Sequence, residues 1–234
     1  MKALSYQIPQ SSLKQTVILE NDEFENTFIK GPLKGHPKTL IIIPAYNEEK
    51  NIGAVLETIQ KKVPGIPILV INDGSSDNTE SVARSHGANV ISLSYNSGYG
   101  VALQTGFIYA ARKNFAIAIQ MDSDGQHDPK NVKDLIEEVQ KNEVDVVIGS
   151  RFLESGSYKS SFARRVGIFI FGKIASIFCG QKVTDPTSGF QALKGRAIHF
   201  AASDHYPPDY PDADFIILMH RYGLKVKEIP VTMH

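Results

Sequence analysis

The 234-residue sequence sets 25 Lys+Arg against 25 Asp+Glu, so no global field singles out nucleic acid or an acidic polymer as partner. Its single cysteine, Cys179, excludes an internal disulfide framework and suits a reducing compartment. Residues 1–7 turn polar before a secretory apolar core forms, and no run reaches the ~18 apolar residues of a spanning helix, so the expected setting is cytosolic, soluble or peripheral to a membrane.

Residues 1–38 lack periodicity and close on the breaker cluster Gly31-Pro32-Leu33-Lys34-Gly35-His36-Pro37, the composition of a partly ordered extension leading into one domain over 39–234. From Thr39 onward, short β-rich apolar runs alternate with helical periodicity. Strands are expected over Leu40–Ile43, Ile68–Ile71, Asn89–Leu93, Phe115–Met121, Val144–Ile148 and Lys225–Val231. Helices are expected over Glu49–Val63, Asn78–His86, Gly98–Lys113 and Pro129–Asn142, with a further amphipathic helix ending near Gly223. This alternation is that of an α/β chain whose mostly parallel sheet is covered by helices on both faces. Ligands bind such sheets beyond the carboxyl ends of the strands, so the loops after the strands carry the chemistry.

After the first strand comes Pro44-Ala45-Tyr46-Asn47-Glu48-Glu49. Tyr46 offers an aromatic face with a polar tip and Glu48 an acceptor for ribose or base groups; a plain acidic helix start is the alternative. After the second, Asp73 either accepts from a nucleobase ring nitrogen or closes a turn, while Ser76 or Asp77 reads as a helix cap. After the third, Asn96-Ser97-Gly98-Tyr99-Gly100 opens a helix whose backbone amides could face phosphate, although the next glycine, Gly106, misses the dinucleotide-binding spacing.

The fourth strand runs into Gln120-Met121-Asp122-Ser123-Asp124-Gly125-Gln126-His127-Asp128-Pro129. Asp122 and Asp124, two apart, project to one face in extended backbone and repel unless a cation sits between them; capping of their own loop is the alternative. A calcium EF-hand loop is excluded, because His127 and Lys133 stand where Gly and Glu are required. No second histidine follows at ligand spacing. His127 and Asp128 therefore read as the surface start of the next helix, with Asp128 as N-cap and Pro129 at its first position.

The fifth strand ends in Gly149-Ser150-Arg151-Phe152, and from Ser155 to Thr184 no acidic residue occurs while Lys159, Arg164, Arg165, Lys173 and Lys182 do. Within that basic stretch, Val166–Phe178 is apolar around much of its circumference, as in an interfacial helix at about 162–179 that meets anionic lipid; a buried core helix or a dimer contact is the alternative. Farther on, Asp212 and Asp214 either cap a helix or face the site.

In order, the stretches IIIPAYNEEKNI (41–52), VINDGSSDNT (70–79), QMDSDGQHDP (120–129), VVIGSR (146–151) and VTDPTSGFQALK (183–194) resemble glycosyltransferase family 2, in its dolichyl-phosphate mannosyltransferase and polyprenyl-phosphate glycosyltransferase branch. The resemblance runs from Leu40 to about Val231. It implies a GT-A (Rossmann-like) fold with a mostly parallel mixed central sheet. It also implies a nucleotide-sugar donor of GDP-mannose or UDP-glucose type, Mg2+ or Mn2+, inversion at the anomeric carbon and a polyprenyl or dolichyl phosphate acceptor. Carried over by position, Pro44, Ala45, Tyr46 and Glu48 match the nucleoside pocket, with Asp73 at the base and Asp122 alongside. Asp122, Asp124 and Gln126 match the Asp-x-Asp-x-Gln metal set, and Arg151, Arg164 or Arg165, and Ser188 match positions that bind acceptor phosphate. Asp122, Asp124 and Arg151 are then the expected catalytic set.

The resemblance further implies a peripheral enzyme at the cytoplasmic membrane face, anchored with an integral membrane partner protein or as a homodimer. Two departures stand out. Gly167 and Ile168 fall where related chains often place a serine, and the basic Ser/Gly-rich segment that commonly follows the last strand is absent before His234, so acceptor closure is expected to need another chain or a longer one. The rival readings are a transfer to a saccharide hydroxyl with Asp212 or Asp214 as base, and an inactive nucleotide-sugar-binding subunit, against which the intact Asp122, Asp124 and Gln126 argue.

Overall fold

The computed structural model describes residues 38–141, 143–153, 162–180, 182–207 and 213–234; the extension expected over 1–38 lies outside them save for Lys38. Among these residues seven strands form one sheet: β1 Thr39–Ala45, β2 Ile68–Asn72, β3 Asn89–Ser92, β4 Ile117–Gln120, β5 Val146–Ser150, β6 Gln191–Lys194 and β7 Val226–Pro230. The helices are α1 Ile52–Lys62, α2 Thr79–Ser85, α3 Tyr99–Arg112, α4 Val132–Gln140, α5 Phe162–Cys179, α6 Arg196–Ala201 and α7 Ala213–Arg221, with a 3-10 turn over Pro129–Asn131. The strand order is β3-β2-β1-β4-β6-β5-β7, parallel except for β6, which runs antiparallel to both β4 and β5.

β1 is buried along its whole length because it lies mid-sheet with helices on both faces, which is why it reads as a continuous apolar run. Its residues alternate between two cores. Leu40 and Ile42 join Leu103 and Phe107 of α3, Ile198 of α6 and Phe215 and Met219 of α7. Ile41 and Ile43 join the other face, against Ile52, Val55, Leu56 and Ile59 of α1 and Val132, Leu135, Ile136 and Val139 of α4. Both sets repeat at i, i+3, i+4, i+7, one helical stripe each. Gly106 lets α3 lie directly on the sheet: a Cβ there would stand 2.4 Å from Ile42 Cγ2.

From β1 the chain departs toward β2 on one side, whereas β4 pairs with β1 on the other. The connections part at that point, leaving a crevice beyond the carboxyl ends of β1 and β4. β6 and α6 were not expected from the sequence. Gln191-Ala192-Leu193-Lys194 is four residues without alternation, and it becomes a strand only because β4 and β5 offer open edges on either side of it.

Candidate active site

The crevice is a cleft of about 520 Å³. One wall is Pro44, Ala45, Tyr46 and Glu48 after β1; Asp73 after β2 lies beside it; Asp122, Ser123, Asp124, Gln126 and His127 follow β4. Arg151 after β5 and Thr187, Ser188 and Gly189 before β6 close the far side. The structure thus gathers the sequence-selected Pro44, Ala45, Tyr46, Glu48, Asp73, Asp122, Asp124, Gln126, Arg151 and Ser188 around one space. Arg164 and Arg165 fall in the first turn of α5, with their side chains outside the described set, as is Asp212. Asp214 is exposed in the first turn of α7 and does not line the cleft.

The first two loops are stitched into one unit. Glu48 N donates to Thr79 Oγ1 (2.8 Å), Glu49 N to Asp77 Oδ2 (3.1 Å) and Ser76 N to Asn47 Oδ1 (2.9 Å), with Asn47 in the left-handed region at φ 56°. Asp77 Oδ1 also accepts from Thr79 N, so of the two expected caps it is Asp77 that closes the start of α2. Tyr46 is left nearly half exposed over the cleft, at 47%.

Asp73, open between a nucleobase contact and a turn, lines the cleft. It is buried, and its two oxygens accept from Ser97 N (2.7 Å) and Gly98 N (3.0 Å). The carboxylate thereby pins the loop before α3. The same bonds correct the phosphate reading of Asn96–Gly100, because two of the amides proposed to meet phosphate already satisfy Asp73.

Arg151 and Ser188, expected at the acceptor phosphate, both have internal partners. Arg151 forms a bidentate pair with fully buried Asp185, Nε to Oδ2 at 2.7 Å and Nη2 to Oδ1 at 2.6 Å, and Nη2 also donates to Thr187 Oγ1 at 2.9 Å. Ser188 spends its one hydroxyl proton on Gly149 O at 2.6 Å, so it has no donor left for a phosphate oxygen unless that bond breaks. These contacts hold the 184–188 loop against β5. From behind, Glu228 of β7 accepts from Thr184 N and Asp185 N, each at 2.9 Å. Sequence reading missed Asp185 and Glu228, whose partners are remote along the chain.

At the centre, Asp122 Oδ1 accepts from Tyr99 Oη at 2.6 Å, and Tyr99 Oη accepts in turn from Gln120 Nε2 at 3.2 Å. Burial, then the Asp122 charge, push the Tyr99 phenol well above its ordinary range, so it stays protonated. His127 is the clearest departure from expectation. Instead of a surface helix start, it is 5% exposed, stacked on Phe190 with centroids 4.9 Å apart, and it lines the cleft. Its Nδ1 accepts from Asp122 N at 3.1 Å, which places the proton on Nε2, 3.4 Å from Asp122 Oδ2. Burial holds its pKa below the usual histidine range, ahead of the opposing pull of Asp122. Asp128 does cap the turn, accepting from Lys130 N at 3.0 Å with Pro129 following. His127 betrays itself only through Phe190, far along the chain. Asp124 is exposed at the cleft, with Oδ1 accepting from Gln126 N at 2.9 Å.

The donor chemistry for a cation is hard oxygen: the Asp122 and Asp124 carboxylates with the Gln126 amide beside them. No group of three or more His, Cys, Asp or Glu side chains suited to a metal converges among the described residues. A cation here would fill its shell with water and ligand phosphate oxygens, the habit of Mg2+ and Mn2+, and the residues fit that group.

The profile of the family described as Glycosyl transferase family 2 matches residues 40–203. An uncharacterised protein of Methanocaldococcus jannaschii is 36% identical over 194 residues, 82% of this chain and 79% of that one. Polyprenol monophosphomannose synthase of Mycolicibacterium smegmatis is 29% identical over 83% of this chain and 77% of its own length. Among solved structures, glucosyl-3-phosphoglycerate synthase from Mycobacterium tuberculosis in complex with Mn2+, UDP-glucose and phosphoglyceric acid superposes with a TM-score of 0.66 at 20% identity, over 86% of this chain and 72% of that one. That match speaks for the fold, the mixed seven-stranded sheet with its cleft at the carboxyl ends. On the profile that spans more than half of its length and the relative above 30% identity, the chain belongs to glycosyl transferase family 2 and is a glycosyltransferase of GT-A fold.

Proposed function

We propose that this glycosyltransferase moves a sugar from a nucleoside diphosphate donor onto the phosphate of a polyprenyl-type lipid, with inversion and with Mg2+ or Mn2+ bound. The observation that carries the reading is that the helix packed on the loop leading into the cleft turns an apolar face to solvent. α5 presents Phe171, Ile174, Ile177 and Phe178 to solvent, with Ile177 79% exposed. It packs on the 183–186 loop, where Val183 N donates to Ser176 Oγ at 2.9 Å and a Cβ at Gly172 would meet Val183 O at 3.0 Å. That loop continues into Thr187–Gly189 of the cleft. The mycobacterial relative's name, a polyprenol monophosphomannose synthase, supports the same class of acceptor.

In this reading Tyr46, Pro44, Ala45 and Glu48 hold the nucleoside, and Asp73 fixes the loop beneath it. Asp122, Asp124 and Gln126 hold the cation. When bound, it supplies charge stabilisation to the departing diphosphate. The attacking group is a phosphate monoester, largely dianionic at neutral pH with a second pKa near ~6, so no general base is required. Arg164 and Arg165, at the start of α5, are assigned to the acceptor phosphate. Arg151 adds positive charge at the cleft while it clamps Asp185. No described helix is long and apolar enough to cross a membrane, and the α5 face is assigned to peripheral binding at the cytoplasmic leaflet.

The test is a thermal-shift panel of GDP- and UDP-sugars with Mn2+ on wild type and Asp124→Asn. Stabilisation by at least one donor, lost in Asp124→Asn, is expected. Stabilisation by none, or an equal shift in Asp124→Asn, contradicts the site assignment.

A further inference from the structure

The Asp122 carboxylate is enclosed by three groups from three separate parts of the chain. Tyr99 of α3 meets Oδ1, the His127 Nε2–H faces Oδ2, and Gly189 lies against both oxygens, where a Cβ would stand 2.8 Å from Oδ2 and 2.9 Å from Oδ1. Each partner is itself fixed. The Tyr99 oxygen accepts from Gln120, which directs the single phenolic proton to Asp122. The His127 ring is held by Asp122 N on Nδ1, by stacking on Phe190, and by the β-bridge of its residue to Met233.

We propose that Tyr99 and His127 are positioning residues that hold Asp122 in one rotamer for the donor-bound cation, and that Gly189 is the residue that makes room for that rotamer. The inference rests on the reading that Asp122 helps bind the cation and the donor diphosphate. Its physical content is that the groups set around the carboxylate, a phenol donor and a singly protonated imidazole, are neutral. They orient the carboxylate without cancelling its charge, as a lysine or arginine at hydrogen-bond distance would. A carboxylate has about four accepting positions, and the Tyr99 hydrogen bond with the imidazole beside Oδ2 leaves capacity on both oxygens. The rotamer is therefore set before the ligand arrives, so the ordering of the side chain is not drawn from binding free energy.

The test is Mn2+ titration by electron paramagnetic resonance in the presence of UDP or GDP, with thermal melting of the metal-free proteins alongside. Tyr99→Phe removes only the hydroxyl, and the rotamer freedom that binding must then remove predicts Mn2+ affinity about 3- to 10-fold weaker. Gly189→Ala, which drives a methyl into the carboxylate, predicts a larger loss. A purely structural role would lower the melting temperature and leave the Mn2+ affinity of the folded protein unchanged. Folded Tyr99→Phe that binds Mn2+ within two-fold of wild type overturns the proposal, whether or not Gly189→Ala folds. Wild type that binds no Mn2+ with either nucleotide overturns the underlying reading and the proposal with it.

Discussion

Arg151→Ala is expected to unfold the far wall of the cleft before it says anything about an acceptor. Asp185 is fully buried and accepts from Arg151 Nε, Nη2 and backbone N. Truncation leaves that carboxylate with the backbone amide at 3.0 Å and Thr187 Oγ1 at 3.4 Å, and Thr187 loses its own partner at 2.9 Å. Breaking a buried ion pair by removing one member costs about 3–5 kcal/mol, because a charge is left without water or counter-ion. For a domain of this size, at roughly 2–4 °C per kcal/mol, the melting temperature falls by about 6–20 °C. Urea unfolding of wild type, Arg151→Ala and the double variant Arg151→Met/Asp185→Leu measures it. The double variant, which replaces both charges by apolar groups, is expected to recover most of the loss. A loss below about 1 kcal/mol in Arg151→Ala would refute the clamp, and would return Arg151 to direct phosphate binding.

Gly106→Ala is expected to cost about 1–3 kcal/mol in urea unfolding, since its methyl would overlap Ile42 under the crevice; an unchanged midpoint would show that α3 can lift from β1 freely. Lys141, then Lys227, hold Glu138 below its ordinary 4.5, so their contribution to stability is present above that value and fades as pH falls through the lower folded pKa. Lys227→Met should therefore be slightly less stable than wild type at pH 6, with the gap closing as pH falls through the lowered Glu138 pKa; a gap that does not narrow with acidification contradicts the assignment. Ile177→Asp on the exposed α5 face should lower co-sedimentation with anionic vesicles several-fold, and unchanged pelleting would remove that face from membrane binding.

The parallel half of the sheet was legible because β1, β2 and β4 are buried on both faces and so written as apolar runs. The cleft residues that directly follow those strands were legible for the same reason, since strand ends place them. What remained hidden depends on partners remote in sequence. The Arg151–Asp185 pair joins residues 34 apart, and neither position has any periodicity to mark it. β6 is a strand by virtue of its neighbours, not its composition. His127 looked like a helix start because local pattern cannot show the Phe190 ring beneath it, and the contact of Asp73 with the amides of Ser97 and Gly98 was hidden because they meet it only in the fold.

The most direct test of the proposed activity is transfer itself: a panel of GDP- and UDP-sugars labelled in the sugar, incubated with the full chain, Mn2+ and a short-chain polyprenyl phosphate, with product followed into the organic phase. Label on the lipid phosphate from at least one donor, abolished by Asp124→Asn, is expected. Label that passes only to water-soluble saccharides, with none on the lipid phosphate from any donor, would contradict that activity.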